Sequence, residues 1–149
     1  MLVKDYDEKG DFLARCVFCQ RQLEEVIAEN DLAVVMHDNY PVSRGHVLVV
    51  PKRHIESYFE ATPEELNAIN QLIFAVKERL DQKFHPNGYN IGVNIGKAAG
   101  QGIFHMHVHI IPRYSGDVSD PRGGIRRIML DNVLISPIRD GSCNGTCPK

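Results

Sequence analysis

Residues 104–111 read Phe-His-Met-His-Val-His-Ile-Ile, three histidines in strict alternation with apolar side chains. A period of two marks an extended strand. It sends His105, His107 and His109 to one face and Met106, Val108 and Ile110 to the other. The apolar face needs a core. The imidazole face needs a chemical reason, because each buried ring must be matched by hydrogen bonds and the row brings little stability. A single strand histidine is ordinarily a satisfied core residue; three in alternation are not explained that way. Imidazole attacks, donates and accepts protons near neutral pH. Along an extended chain His107 and His109 stand about 7 Å apart, near enough to address one phosphate group. A neutral imidazole can attack phosphorus and form a covalent phospho-histidine. Its other ring nitrogen then needs an acceptor to fix the tautomer.

A strand with one apolar face requires partners, and the chain supplies them. Residues 1–15 are a polar lead-in, and Gln20 to Glu24 suit a helical turn. Val26-Ile27 and residues 32–36 read as a hairpin about the two-residue turn Asn30-Asp31. Asn39, Pro41, Ser43 and Gly45 mark a loop, and residues 46–51 a short buried strand. Thr62, Pro63 and Glu65 form an N-cap, a first-turn proline and a capping box. They open a helix over 62–84 with a stripe of Leu66, Ile69, Leu72, Ile73, Val76 and Leu80. His85-Pro86-Asn87-Gly88 stops it. Residues 89–94 form a strand interrupted by Gly92, and 95–102 a glycine loop. Beyond Pro112 the pattern dissolves, with Arg122, Arg126 and Arg127 clustered. Five strands in hairpin-like succession with one long helix predict an α+β domain on an antiparallel sheet. The expected organisation is one domain over 1–149, with a core at about 14–114 and an irregular tail from 115.

The 17 basic and 19 acidic residues leave a net charge of −2, so no global field recruits nucleic acid or an anionic membrane. The N-terminus carries acids at once and has no apolar signal region, which predicts a cytoplasmic protein. Its four cysteines are then expected as ligands or free thiols. Cys16 and Cys19 have zinc-knuckle spacing. With His54 and His105 they would make a closed tetrahedral site, structural rather than catalytic; a redox pair and chance spacing stay open. Cys143 and Cys147 are unassigned thiols. Gly100-Gln101-Gly102 precedes the histidines, and such glycines let backbone N–H groups approach an anion. Gln101 and Asn94 offer neutral donors to phosphate oxygens, and Lys97 adds charge.

The run His105 to Ile111 resembles the H-φ-H-φ-H-φ-φ signature of the histidine triad (HIT) nucleotide hydrolases and transferases. The likeness spans roughly 16–113 and includes residues 38–41, 45–51, the Thr62 helix, Asn94, Gly100-Gln101 and Ile111-Pro112-Arg113. It implies a HIT-like fold: a five-stranded antiparallel sheet, one long and one short helix, and a sheet extended by homodimerisation. It implies reaction at the α-phosphate of an AMP-containing nucleotide. His107 would be the nucleophile. His46, His109, Asn94 and Gln101 would bind phosphate, Asp38 the ribose hydroxyls, and Phe18 would wall the base. Cys16, Cys19, His54 and His105 look like the family's structural zinc site, and no organic cofactor is implied. Gly102 stands where the phosphoramidase branch has a serine. Residues 109–117 look more like the branch acting on dinucleoside polyphosphates, and the tail at 120–126 resembles bacterial and archaeal members. The expected activity is therefore dinucleoside polyphosphate hydrolysis. The alternatives are a nucleoside phosphoramidase, a phosphorylase that uses orthophosphate, and a nucleotide-binding regulator with incidental hydrolysis.

Overall fold

A computed structural model describes residues 16–128. The lead-in at 1–15 and the tail from 129, with Cys143 and Cys147, lie outside the described residues. Five strands, β1 (Val26–Glu29), β2 (Ala33–His37), β3 (Val47–Pro51), β4 (Gly88–Gly92) and β5 (Val108–Arg113), form one antiparallel sheet in the order β1-β2-β3-β5-β4. The succession is not hairpin-like throughout. The chain leaves β3, runs through helix α1 (Pro63–Phe84) and returns at the edge as β4. The histidine-bearing β5 then inserts between them.

Helix α1 begins where local chemistry requires. Thr62 Oγ1 accepts the Glu65 N–H at 3.2 Å, and the Glu65 carboxylate accepts the Thr62 N–H at 2.9 Å. Glu65 is itself buried and takes two further bonds from Arg53, each of 2.8 Å. These bonds hold its carboxyl below the ordinary range. His85 ends the helix in the left-handed conformation, φ 51°, and donates its N–H to Asp81 O. Ile69, Leu72, Val76 and Leu80 are buried as the stripe predicts, whereas Leu66 and Ile73 are half-buried and Ala68 is buried in addition.

Strand β3 is buried along its whole length. Val47 and Val49 face α1, together with Ala33, Val35, Met106, Val108 and Ile110. Leu48 and Val50 face the opposite cluster with Val34, Met36, Cys16 and Phe18. A strand covered on both faces must be apolar throughout. The hairpin before it has a three-residue turn rather than the expected two, because Asn30 Oδ1 accepts from both Leu32 N and Ala33 N. The turn expected over 20–24 is a single 3-10 turn at Leu23–Glu25.

The histidine stretch departs from a uniform strand. The β5 ladder begins at Val108, so His105 and His107 precede it. The Met106 N–H donates instead to Ile55 O at 2.6 Å, in the segment after β3. The alternation of side chains nevertheless persists. Pro112 lies inside β5, a central strand, without losing a ladder bond. Pairing with β3 ends at Ile110, and the Pro112 carbonyl accepts from Ser43 Oγ. Among the described residues no helix is long and apolar enough to cross a membrane.

Candidate active site

His107 sits in the segment just before β5, buried, where its Nδ1–H donates to His105 O at 2.7 Å. That bond assigns the tautomer and leaves Nε2 as an unprotonated lone pair. Burial lowers the His107 pKa, against the opposing pull of the His105 carbonyl and Asp38, so the ring is neutral at neutral pH. Phe18 and His109 flank the ring, with centroids 5.2 and 5.0 Å away.

His46 and His109 come together from neighbouring strands. Leu48 and His109 are paired across β3 and β5, and His46 immediately precedes β3. The Val42 N–H donates to His46 Nδ1 at 3.2 Å. The proton of neutral His46 is therefore on Nε2, which stands 3.0 Å from His109 Nδ1 and 3.4 Å from Asp38 Oδ2. The shorter contact is the hydrogen bond. His109 Nδ1 is the acceptor, so its own proton sits on Nε2. The 3.7 Å separation of His109 Nδ1 from Asp38 is too long to compete. Burial lowers the pKa of His46 and takes His109 down to about 4. One backbone N–H thus orders two rings and gives His109 a fixed Nε2–H.

The remaining expected phosphate and nucleoside ligands are placed unequally. Asp38 Oδ1 accepts the Tyr40 N–H at 2.8 Å, while Oδ2 faces the histidines. Asn94 lies two residues beyond the end of β4, exposed, with no hydrogen bond among the described residues. Gln101 is buried and committed: Oε1 accepts from Gly96 N, and Nε2 donates to Glu56 O and Ile103 O. It braces the 96–103 loop and has no amide proton left for a phosphate. Both ring nitrogens of His46 are likewise engaged by protein atoms. Phe18 lies under the histidines, not on the surface. Lys97 opens an exposed 3-10 turn. Two clefts, of about 490 and 250 Å³, lie elsewhere, and neither is lined by His46, His107 or His109.

Cys16, Cys19, His54 and His105 converge, with one donor atom from each within 4.8 Å of the others. Cys16 Sγ is 3.4 Å and Cys19 Sγ 3.5 Å from His105 Nδ1, and Cys19 Sγ is 3.3 Å from His54 Nδ1. A tetrahedral Zn²⁺ with ordinary bond lengths has sulfur-to-nitrogen edges of about 3.5 Å, so these are ligand-to-ligand spacings. His105 Nε2–H donates to Pro51 O at 2.8 Å, which leaves the Nδ1 lone pair facing the thiols. Burial and the neighbouring Cys16 thiol push the Cys19 pKa up to about 11, a cost that a dication would reverse. The donor set fits zinc.

Asp38, His46 and His109 also bring three donors within 4.8 Å, but they fail the same test. The Val42 N–H occupies His46 Nδ1, so the Nε2 that faces the group carries a proton and has no lone pair for a cation. Two clusters of similar spacing are separated by one backbone hydrogen bond. Val42 acts through its N–H and Ile55 and Pro51 through their carbonyls, and they carry no sequence signal, because every residue has a carbonyl and all but proline an N–H.

A HIT domain family model matches residues 20–116. An uncharacterized HIT-like protein of Methanocaldococcus jannaschii is 38% identical over 126 residues, 80% of this chain and 95% of that protein. The adenylylsulfatase HINT3 of Arabidopsis thaliana is 33% identical over 138 residues, 87% and 70% of the two chains. Among solved structures, a zinc-bound histidine triad protein of Mycobacterium smegmatis superposes with TM-score 0.64 at 32% identity, covering 70% of this chain and 79% of that one. A Plasmodium falciparum diadenosine triphosphate hydrolase gives 0.63 at 28%, covering 67% and 68%.

Proposed function

This chain belongs to the HIT domain family, and from that premise we propose that it hydrolyses a dinucleoside polyphosphate through a nucleotidyl-histidine intermediate. The observation that carries the reading is the bond from His107 Nδ1–H to His105 O, which leaves Nε2 deprotonated in a buried site. Nε2 attacks the α-phosphorus; a phosphorus–nitrogen bond forms as the bond to the bridging oxygen breaks, and the shortened polyphosphate leaves. Water then attacks the same phosphorus and releases the nucleoside monophosphate. The Nε2–H of neutral His109 donates to the phosphoryl oxygens, whose negative charge grows in the transition state. His46 acts through His109, and Gln101 acts by bracing its loop. Asn94 supplies a neutral donor, and Asp38 accepts a ribose hydroxyl. Cys16, Cys19, His54 and His105 would hold a structural Zn²⁺ that anchors the segment before β1 to the segment before β5.

The similarity to a diadenosine triphosphate hydrolase and to an adenylylsulfatase supports nucleotide chemistry and leaves two leaving groups in competition. A panel of diadenosine tri- and tetraphosphate, adenosine phosphosulfate and an adenylated amine, with His107→Ala as control, decides between them. The dinucleotides are expected to turn over fastest, and turnover no faster than the control refutes the proposal. Chemical quench with a labelled substrate is expected to trap label on His107. Among the described residues no further strand pairs with the outer edges of β1 and β4, and Ile91 on β4 is half exposed. We therefore expect pairing of two chains at β4, and a monomer by light scattering would count against it.

A further inference from the structure

We propose that Phe18 is a positioning residue for the nucleophile, held in place by the metal-ligating clip, so that metal occupancy governs turnover as well as stability. The kinetic half rests on the covalent-histidine reading above; the structural half does not.

Phe18 stands between Cys16 and Cys19, so its backbone follows the clip. Cys19 N–H and Gln20 N–H both donate to Cys16 O at 3.1 Å, and Arg21 Nη1 donates to Phe18 O at 2.8 Å. The ring meets His105 edge-on at 5.7 Å and 89°, and His107 at 5.2 Å and 61°. Phe18 is 5% exposed, so its surface is spent on protein neighbours and little is left to stack on a nucleobase. His107, by contrast, precedes the β5 ladder. Its ring is restrained by the bond to His105 O, by the flank of His109 and by Phe18.

Two connections therefore lead from the metal-ligating group to the nucleophile. His105 would bind the metal through Nδ1, while its carbonyl fixes the His107 tautomer. Cys16 and Cys19 would bind it while the residue between them packs on the His107 ring. If the clip loosens, the His107 ring loses both its aim and its single fixed tautomer. A displaced nucleophile costs rate far more than it costs ground-state binding.

Phe18→Leu in the zinc-loaded chain tests this, because it keeps an apolar side chain and all four ligands. Zinc is expected to remain at about one per chain. KM is expected within about twofold of wild type, while kcat falls about tenfold. The ¹⁵N spectrum of His107 should show loss of the single Nδ1–H tautomer, and the zinc-depleted wild type should show the same spectral change. Should depletion unfold the chain, Phe18→Leu alone decides. A raised KM with unchanged kcat would assign the ring to the substrate and overturn the proposal, as would a wild-type His107 spectrum in the variant. If no nucleotide is turned over by the wild type, the covalent-histidine reading fails separately, and the spectrum still decides the placement of His107.

Discussion

Replacing His46 by alanine isolates the hydrogen-bond relay, since on the proposed mechanism His46 acts only through His109. Its side chain is 3% exposed and both nitrogens are engaged, so the wild-type ring offers nothing to a substrate. In His46→Ala, His109 Nδ1 loses its donor at 3.0 Å. The proton can then sit on either nitrogen, and with it on Nδ1 the lone pair of Nε2 turns toward the phosphoryl group. One hydrogen bond to a charged oxygen is lost, worth about 1.5–3 kcal/mol. At 1.36 kcal/mol per decade this is about a 10- to 150-fold loss of rate. The loss should fall on kcat, because the bond strengthens as negative charge grows on the phosphoryl oxygens. Steady-state hydrolysis of diadenosine tetraphosphate near neutral pH measures it, with circular dichroism to confirm the fold. His46→Gln, whose amide can restore an N–H to His109, should recover part of the loss. A change of less than about threefold, or one confined to KM, would refute the relay.

The pH dependence of stability follows from His109, whose folded pKa is about 4 against an ordinary value of 6.5. Between those values the unfolded chain binds the extra proton. Stability therefore falls as pH drops from 6.5 to about 4 and levels off below. With 21% of the side chain exposed, the contribution is discounted to roughly 1–2 kcal/mol. Urea midpoints across that range should slope less in His109→Asn, and equal slopes would refute the assignment. Gly45 has φ +88°, and an added Cβ would stand 2.9 Å from the Phe84 ring. Gly45→Ala should therefore cost at least about 1–3 kcal/mol and lower kcat by displacing His46; an unchanged melting temperature would contradict both. His85→Gly relieves the left-handed C-cap and should stabilise α1 by up to about 1 kcal/mol, read as a raised urea midpoint. Cys19→Ser should abolish stoichiometric zinc by elemental analysis, and retention of a full equivalent would refute the proposed ligand set.

What could be read beforehand divides along the range of the interactions. The start of α1 was legible because Thr62, Pro63 and Glu65 act within one turn. The facing of Met106, Val108 and Ile110 was legible because alternation survives even where the ladder does not. The neighbourhood of β3 and β5 was not, because nothing local tells a chain that β4 will pass to the far edge. At the site, the convergence of Cys16, Cys19, His54 and His105 was foreseen from residue types. The commitment of Gln101 and His46 was hidden, because their partners are main-chain groups at Gly96, Glu56, Ile103 and Val42. A side chain announces its chemistry, but an amide N–H or carbonyl looks the same at every position.

The late start of β5 has a consequence for how the molecule opens. Val47 to Val50 lie in the doubly covered central strand, and their amides should exchange with solvent only when the whole sheet comes apart. His109, paired opposite Leu48, shares that slow clock. His107 does not: the residue before it is tied to Ile55, and its own ring to His105 and Phe18, all outside the ladder. Release of the His107 ring therefore does not require the sheet to open, and amide exchange is expected to be faster at 105–107 than at 47–50. His109 beside it is held by the ladder and is expected to exchange with the sheet.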